Sequence, residues 1–285
     1  PTPPAAAKGK PVATKPSFFQ DVEVFVGVRD QGSRLRITEP APARALTAGQ
    51  FSPAGMSGSG HVDGRLRFVG YGITAPEAHW DDFAGLDANG LKGQIAVVLR
   101  GVPANKFSGG AARSYSDLRF KAWSAREKGA AAVVFVDLTS DSVPKLTLDG
   151  PECGAGLPVL YLAKSLLPTL GIKIAGEAST PTDGAALAAA LEKAANEGKP
   201  ASIELSAHLT GDVNLARESR RERNVVGVLR AGVPDAPAIV LGAHYDHLGF
   251  GGRNSLSPGV KAIHPGADDN ASGTAALLHA AALLK

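Results

Sequence analysis

The sequence predicts an α/β protein, and three observations support this prediction. Short apolar runs bounded by glycines and turns, clearest at residues 95–99 and 130–136, are typical of buried strands. Residues 116–128 and 183–196 place apolar side chains at helical spacing. The composition, 44% hydrophobic and 20% charged over 285 residues, suffices for a sizeable core. We therefore expect about two folded domains rather than a disordered chain.

The N-terminal portion begins with Pro, Ala, Lys and Thr over residues 1–16, which predicts a flexible lead-in. Valines occupy alternate positions over residues 22–28, a pattern typical of a half-buried strand. Residues 35–38 are expected to pair with this strand as a hairpin. A stretch rich in Gly, Ser and Pro over residues 52–60 then separates this portion from the next.

A compact α/β module follows, with its core at residues 65–170. The helix predicted over residues 116–128 has one apolar face, and Gly129 is expected to end it at the C′ position. A short helix before Gly171 closes the module. The strands predicted in this module are residues 66–71, 95–99, 130–136 and 158–162.

Helix and strand patterns alternate again in the remainder of the chain. Asp183 is the expected N-cap of an Ala-rich helix that runs to Asn196. The last helix, residues 272–285, is apolar on nearly all sides and is therefore expected to be buried. The strands predicted between these two helices are residues 202–209, 213–217, 224–229 and 238–243.

Composition and charge exclude several classes of protein. The 30 basic and 27 acidic residues leave a formal net charge of only +3, so we expect no nucleic-acid partner. No apolar run approaches the roughly 18 residues of a spanning helix, so we expect no membrane span. Cys153 is the only cysteine; it excludes an intrachain disulfide, and we expect it to be structural.

The strongest functional signal is a pair of short motifs near the C-terminus. The apolar run 238–243 leads directly into His244-Tyr245-Asp246-His247, and Gly266-Ala267-Asp268-Asp269-Asn270 later opens a helix. Ligands gather at the carboxyl ends of strands in α/β sheets, and imidazole with carboxylate is a usual ligand set for zinc. The pattern therefore predicts a metal site.

These motifs give the segment 224–284 a resemblance to the zinc aminopeptidases and carboxypeptidases of peptidase family M28. The matching features, in order, are N-V-V-G, G-A-H-Y-D-H-L-G, a glycine-rich loop through His264, and G-A-D-D-N-A-S-G. Upstream, the module around residues 65–170 resembles a protease-associated (PA) domain. The residues that carry this second resemblance are Tyr71-Gly72, the acidic stretch 81–87 and the strand 93–98.

The two resemblances imply a division of the chain into domains. Residues 1–16 are the lead-in, and residues 17–60 are N-terminal strands of the peptidase domain. Residues 61–200 are an inserted PA domain of the α/β-sandwich type. Residues 201–285 begin the peptidase catalytic domain. The peptidase fold implied is a mixed-sheet zinc-exopeptidase domain of the phosphorylase/hydrolase-like class, incomplete in this chain.

The M28 resemblance also implies roles for three residues. His244 is expected to bind one zinc ion, and Asp268 is expected to bridge two zinc ions. Asp246 is the expected catalytic residue, in that it hydrogen-bonds His244 and fixes the tautomer of its ring. A cis peptide between Asp268 and Asp269 is implied as well.

The chain departs from the family pattern after Asp269, because no acidic residue follows. The family needs a Glu-Glu pair, which supplies a general base and a zinc ligand, and then a distal Asp and a distal His. We therefore expect a two-zinc exopeptidase, of aminopeptidase type and acting on peptides or proteins, in a longer parent. We expect these 285 residues alone to be inactive and to bind zinc weakly or not at all.

Alternatives remain open at this point. The chain could be a non-catalytic binding or receptor-like protein that keeps the peptidase scaffold. A second alternative is a PA module attached to a serine protease. That alternative would need a Ser/His/Asp set, and no local signature of one is apparent in the sequence. His247 and His264 could shape a substrate pocket or be loop histidines bonded to the backbone. Asp81 and Asp82 are interpreted as a solvated loop or a cap, and Ser272 as the N-cap of the last helix. The lead-in and the family resemblance indicate an extracytoplasmic, bacterial protein.

Overall fold

The computed structural model of the chain divides into two compact units. One unit is Val22–Glu222, and the other comprises Pro1–Asp21 and Arg223–Lys285. The predicted domain limits at residues 60 and 200 stay a prediction. The predicted lead-in and Cys153 lie outside the described residues. The structure describes residues 18–103, 105–148, 154–174, 183–198, 203–230, 232, 237–251, 255, 257 and 260–284.

A mixed nine-stranded sheet forms the centre of the Val22–Glu222 unit, which confirms the predicted α/β class. Its order is β3-β2-β12-β5-β8-β9-β10-β4, with β11 paired to β12, and β5, β8, β9 and β10 run parallel. The strands are β1 Phe19–Asp30, β2 Arg34–Glu39, β3 Arg44–Ala45, β4 Phe51–Pro53, β5 Gly60–Phe68, β6 Thr74–Ala75, β7 Trp80–Asp81, β8 Gln94–Leu99, β9 Ala132–Val136, β10 Val159–Leu162, β11 Ile172–Ile174, β12 Ile203–Val213 and β13 Leu215–Val225.

The α-helices in the described residues are α1 Gly109–Tyr115, α2 Leu118–Glu127, α3 Gly184–Asn196 and α4 Ser272–Leu284. Of these, α2, α3 and α4 lie at positions that the sequence predicts, whereas α1 was not predicted. The predicted short helix before Gly171 is a 3₁₀-helix over Lys164–Thr169. Asp117 caps α2, and Asp183 caps α3 as predicted, because its carboxylate accepts from the Ala186 N–H at 2.8 Å.

The sheet has a separate hydrophobic core on each face. Alternate residues of β8 divide between them: Ile95, Val97 and Leu99 belong to one core, whereas Ala96 and Val98 belong to the other. This alternation follows from the two-residue period of a strand. Helix α3 packs into the first core and helix α2 into the second. The result is the layered α/β arrangement that the apolar runs predicted.

The predicted hairpin between β1 and residues 35–38 is wrong. β1 pairs with β13 in a separate two-stranded sheet, and β2 instead lies between β3 and β12. Leu35 and Ile37 are almost fully buried there. Burial of these two side chains against the main sheet therefore outweighs the short connection that favoured the hairpin.

The C-terminal unit contains less regular structure than the sequence predicts. Residues 238–243 form no strand, and the strand predicted over residues 224–229 ends at Val225. Ile239 is 89% exposed, and no described strand lies beside this run to pair with its backbone. Helix α4 forms as predicted but is not buried: Leu283 is 74% exposed. Burial depends on neighbouring elements, and those in the described residues leave no residue of this helix fully buried.

Two charged residues of the Val22–Glu222 unit, Lys121 and Asp82, are buried. Lys121 is completely buried in α2, and its amine donates to the Leu99 carbonyl at 3.0 Å and to the Gly101 carbonyl. Burial lowers the pKa of Lys121 to about 7. Asp82 is buried rather than solvated, so the interpretation of this residue as a solvated loop residue is wrong. Burial raises the pKa of Asp82 to about 6.

An exposed polar face lies on strands β5 and β12, where two histidines pair with aspartates across the strands. His61 Nδ1 lies 2.9 Å from Asp212 Oδ1, and His208 Nε2 lies 3.3 Å from Asp63 Oδ1. The hydrogen bond with Asp212 raises the pKa of His61, and the charges of Asp212 and Asp63 add to this effect. These pairs join two adjacent strands of the main sheet.

Removal of the α2 cap is expected to destabilise the unit that contains it. The Asp117 carboxylate accepts from the N–H groups of Arg119 and Phe120 at 2.7 and 3.0 Å. Asp117→Ala should therefore lower the free energy of unfolding by about 1 kcal/mol. Urea unfolding followed by tryptophan fluorescence measures this loss, since Trp80 and Trp123 both belong to this unit. Asp117→Asn keeps an acceptor and should stay within about 0.5 kcal/mol of wild type; equal losses for both variants would contradict the capping role.

The His61–Asp212 pair is expected to make stability depend on pH. Because the folded-state pKa of His61 is raised, the stabilisation is fully present below its ordinary value of 6.5 and is lost as the pH rises through the folded pKa. NMR titration of the His61 ring in wild type and Asp212→Asn measures the effect. In the variant the His61 ring should titrate at lower pH, and the melting temperature should lose the part of its pH dependence that His61 contributes; an unchanged pKa would refute the assignment.

Candidate metal site

The His244 ring lies between a main-chain carbonyl and a carboxylate. Its Nδ1 is 2.8 Å from the main-chain oxygen of Asp246, so this nitrogen donates to that carbonyl. Its Nε2 is 3.0 Å from Asp269 Oδ1. The carbonyl thereby holds a proton on Nδ1, and Nε2 faces the acidic pair. Without a metal ion, Nε2 donates to Asp269 only when the ring carries its second proton, and the proximity of Asp269 favours that charged form.

A second histidine contacts the same carboxylate. His247 Nδ1 lies 3.8 Å from Asp269 Oδ2, and the His247 side chain is only 23% exposed. Gly266 makes this approach possible, since a Cβ at that position would lie 2.7 Å from His247 Cγ and 2.4 Å from the Asp269 carbonyl oxygen. Asp269 therefore has an imidazole near each oxygen of its carboxylate.

The turn that carries the acidic pair runs over Ala267–Ala271 and leads into α4. Its non-proline cis peptide joins Asp269 to Asn270, so the cis peptide predicted between Asp268 and Asp269 is wrong by one bond. The Asn270 side chain accepts from the Gly273 N–H at 3.1 Å. The hydroxyl of Ser272 instead donates to the Asp268 carbonyl at 2.9 Å. Asn270, not Ser272, is thus the residue that caps α4.

The carboxylate of Asp246 points largely into solvent. It is 88% exposed, and its Oδ1 lies 3.5 Å from His244 Nδ1, farther than its own main-chain oxygen. The hydrogen bond to that main-chain oxygen raises the pKa of His244, and the negative charges of Asp269 and Asp246 contribute in the same direction. The predicted contact between Asp246 and His244 is present. The shorter distance, 2.8 Å, joins His244 Nδ1 to the main-chain oxygen of Asp246, and the longer, 3.5 Å, joins it to the Asp246 carboxylate. The catalytic role of Asp246 stays a prediction.

His264 is a loop histidine with a structural role. Its Nδ1 lies 2.8 Å from the Ala262 carbonyl, and its Nε2 lies 2.8 Å from the Ser255 hydroxyl. With Nδ1 as the donor, Nε2 accepts from Ser255, so both ring nitrogens are satisfied within the loop. Of the two histidines left open by the sequence, only His247 reaches the acidic pair among the described contacts.

The site contains donors of the zinc type, but few of them. Imidazole nitrogen and carboxylate oxygen both suit zinc. Among the residues that the structure describes, however, no group of three or more His, Cys, Asp or Glu side chains could hold a metal ion. His244 faces the acidic pair from an irregular segment rather than from the end of a strand, and its carboxylate contact is with Asp269; the assignments of His244 and Asp268 as zinc ligands stay predictions. Spacing alone could not choose between adjacent aspartates.

Comparison with a protein-family model identifies the class of the C-terminal segment. Residues 224–285 match the model of Peptidase family M28, which covers both motifs that converge on His244 and Asp269. The resemblance of this segment to family M28 is therefore confirmed. No match was found among curated proteins.

Several solved structures are similar to parts of the chain at low sequence identity. They include an aminopeptidase from Aneurinibacillus sp. strain AM-1, with 19% identity, a TM-score of 0.42, and coverage of 72% of this chain and 36% of that one. A peptidase M28 precursor from Shewanella amazonensis SB2B has 14% identity, a TM-score of 0.37, and coverage of 72% and 40%. BSAP, a zinc aminopeptidase from Bacillus subtilis, has 16% identity, a TM-score of 0.34, and coverage of 71% and 35%. The chain thus matches well under half the length of each.

The close packing at Gly266 gives a direct test of the site geometry. Gly266→Ala should push His247 away from Asp269, because the added methyl group would overlap the ring and the Asp269 carbonyl. Gly242→Ala is the matched control, since a Cβ there meets nothing within 4 Å. NMR should show shifts of the His247 ring and the Asp269 amide in the first variant only. Similar shifts in both variants, or none in either, would contradict the observed packing.

Proposed function

We propose that this chain is part of a metal-dependent exopeptidase, of aminopeptidase type, that hydrolyses peptide bonds at a two-zinc site. The observation that supports this proposal best is the contact between His244 and Asp269 inside the segment that matches Peptidase family M28. The substrate class is a peptide or protein. These 285 residues supply only some of the metal ligands, so we expect no turnover from them alone.

The residues present fit zinc in chemistry, although not in number. His244 would bind through Nε2, which the Asp246 carbonyl keeps available by holding the proton on Nδ1. A carboxylate of the Asp268–Asp269 pair would provide oxygen. When bound, zinc lowers the pKa of a water molecule and polarises the carbonyl of the substrate. This chain's own contribution is to orient an imidazole toward a carboxylate and to fix the imidazole tautomer.

The Val22–Glu222 unit contains the module that we propose to be a PA domain. It has a two-sided core and helices on both faces of its sheet, as an α/β sandwich requires. In the proposed enzyme it would limit access to the site or help to select substrates.

Among the described residues, no helix combines the length and the apolar character needed to cross a membrane. We further propose an extracytoplasmic location and a bacterial source.

A second candidate function is a non-catalytic, receptor-like role in which the peptidase scaffold only binds. One observation is compatible with it: His244 contacts Asp269 directly, an arrangement that needs no metal ion. The two candidates differ in one respect that can be measured. The peptidase proposal requires zinc to bind through His244, whereas a scaffold that only binds does not.

Zinc titration by calorimetry tests the proposed function. The wild-type chain should bind zinc weakly through His244, because only some of the ligands are present, and His244→Ala and Asp269→Asn should each weaken binding further, by more than about tenfold, since each removes a donor. His279→Ala is the matched control, because His279 is an exposed histidine on α4 that belongs to neither motif. Asp268→Asn tests the adjacent carboxylate. We expect this variant to lose less zinc affinity than Asp269→Asn, because Asp269 is the residue that contacts His244.

The outcomes separate the two candidates. Equal zinc affinity of His244→Ala and His279→Ala would refute a metal site at His244 and favour the scaffold role. Hydrolysis of aminoacyl-anilide substrates, with and without a chelator, provides a second measurement. We expect no turnover by this chain; chelator-sensitive turnover would support the peptidase and show that these residues suffice for it.

A further inference from the structure

The two motifs of the site are held together without a shared sheet. Residues 237–248 belong to no strand, and the acidic pair lies in an irregular turn. A specific contact must therefore keep the His244 ring near Asp269. One such contact is a hydrogen bond from the Thr274 hydroxyl to the main-chain oxygen of His244, at 3.0 Å.

The position of Thr274 makes this bond a geometric constraint on the ring. Thr274 lies in the first turn of α4, directly after the turn that carries Asp269. Because a helix is a rigid element, a bond from its first turn to the His244 carbonyl fixes the His244 backbone relative to Asp269. The partly buried Thr274 hydroxyl also lies 3.1 Å from the Asn270 carbonyl, one turn back along the same segment, so its single proton is shared between two main-chain acceptors.

Neighbouring hydroxyls do not provide the same link. Ser272 donates to the Asp268 carbonyl four residues earlier, a bond within its own segment. The Tyr245 hydroxyl donates to the Arg223 carbonyl at 2.6 Å, so it holds the histidine segment to the end of β13 rather than to the acidic turn. Among the described hydroxyl contacts, the one from Thr274 is the one that joins the His244 backbone to helix α4.

We propose that Thr274 is a positioning residue that aligns His244 with Asp269 for shared metal binding. The metal-binding part of this inference rests on the proposed function, whereas the alignment itself does not require a metal. The threonine acts through a main-chain carbonyl, so its hydroxyl is the essential group and its methyl group is not. Serine should therefore replace it, and valine, which has the same shape without the hydroxyl, should not.

The first experiment measures alignment in the metal-free chain by NMR. Nuclear Overhauser cross-peaks between the His244 ring and the Asp269 side chain should be present in wild type and Thr274→Ser and absent in Thr274→Val, because the ring lies 3.0 Å from the Asp269 carboxylate. Ser272→Ala is the matched control, since it removes a hydroxyl from the same turn without touching His244; it should keep the cross-peaks. Circular dichroism verifies that each variant retains its helices.

Cross-peaks that persist in Thr274→Val would overturn the proposal. Their disappearance in Ser272→Ala as well would also overturn it, because the effect would then be general loosening of the helix start. The second experiment is zinc titration of the same variants. Thr274→Val should bind zinc about tenfold more weakly than wild type, as expected for loss of a supporting partner, and Thr274→Ser should bind within about twofold of wild type. A wild-type chain that binds no zinc would refute the proposed function while leaving the NMR result to decide the alignment.

Discussion

The proposed metal site depends on one interaction, the 3.0 Å contact between His244 Nε2 and Asp269 Oδ1. Several local features combine to produce it. The Asp246 carbonyl binds the opposite ring nitrogen, Thr274 holds the His244 backbone, and Gly266 leaves room for a second imidazole. None of these features requires a strand beneath the motif. The site is therefore organised by its own turns and by the first turn of α4.

Much of the fold follows from local sequence patterns. Strands β8, β9 and β10 and helices α2 and α3 lie close to their predicted bounds, because apolar period and capping residues are encoded within each segment. The pairing of β1 with β13 could not be predicted in this way, since it joins residues nearly the whole length of the unit apart. The burial of Lys121 in α2 was equally hidden, because carbonyl acceptors at the end of β8 satisfy its charge only in the folded state.

The metal site could be predicted only in part, because the sequence shows which residue types are present but not how the folded chain orients them. His-x-Asp and the acidic pair identify the residue types that bind zinc, but adjacent aspartates differ only through the conformation of the turn that carries them. The structure directs Asp269 toward His244, and it brings His247 close through Gly266. Hydrophobicity likewise predicted burial of residues 238–243 and of α4, whereas burial depends on covering elements that the described residues do not provide.

Whether His244 and Asp269 bind one zinc ion together can be tested by anomalous diffraction at the zinc absorption edge, with crystals of this chain grown in the presence of zinc. The account predicts an anomalous peak within bonding distance of His244 Nε2, about 2.0–2.1 Å, and of a carboxylate oxygen of Asp269. A zinc peak that contacts neither residue, with the His244 ring turned away from Asp269, would contradict it.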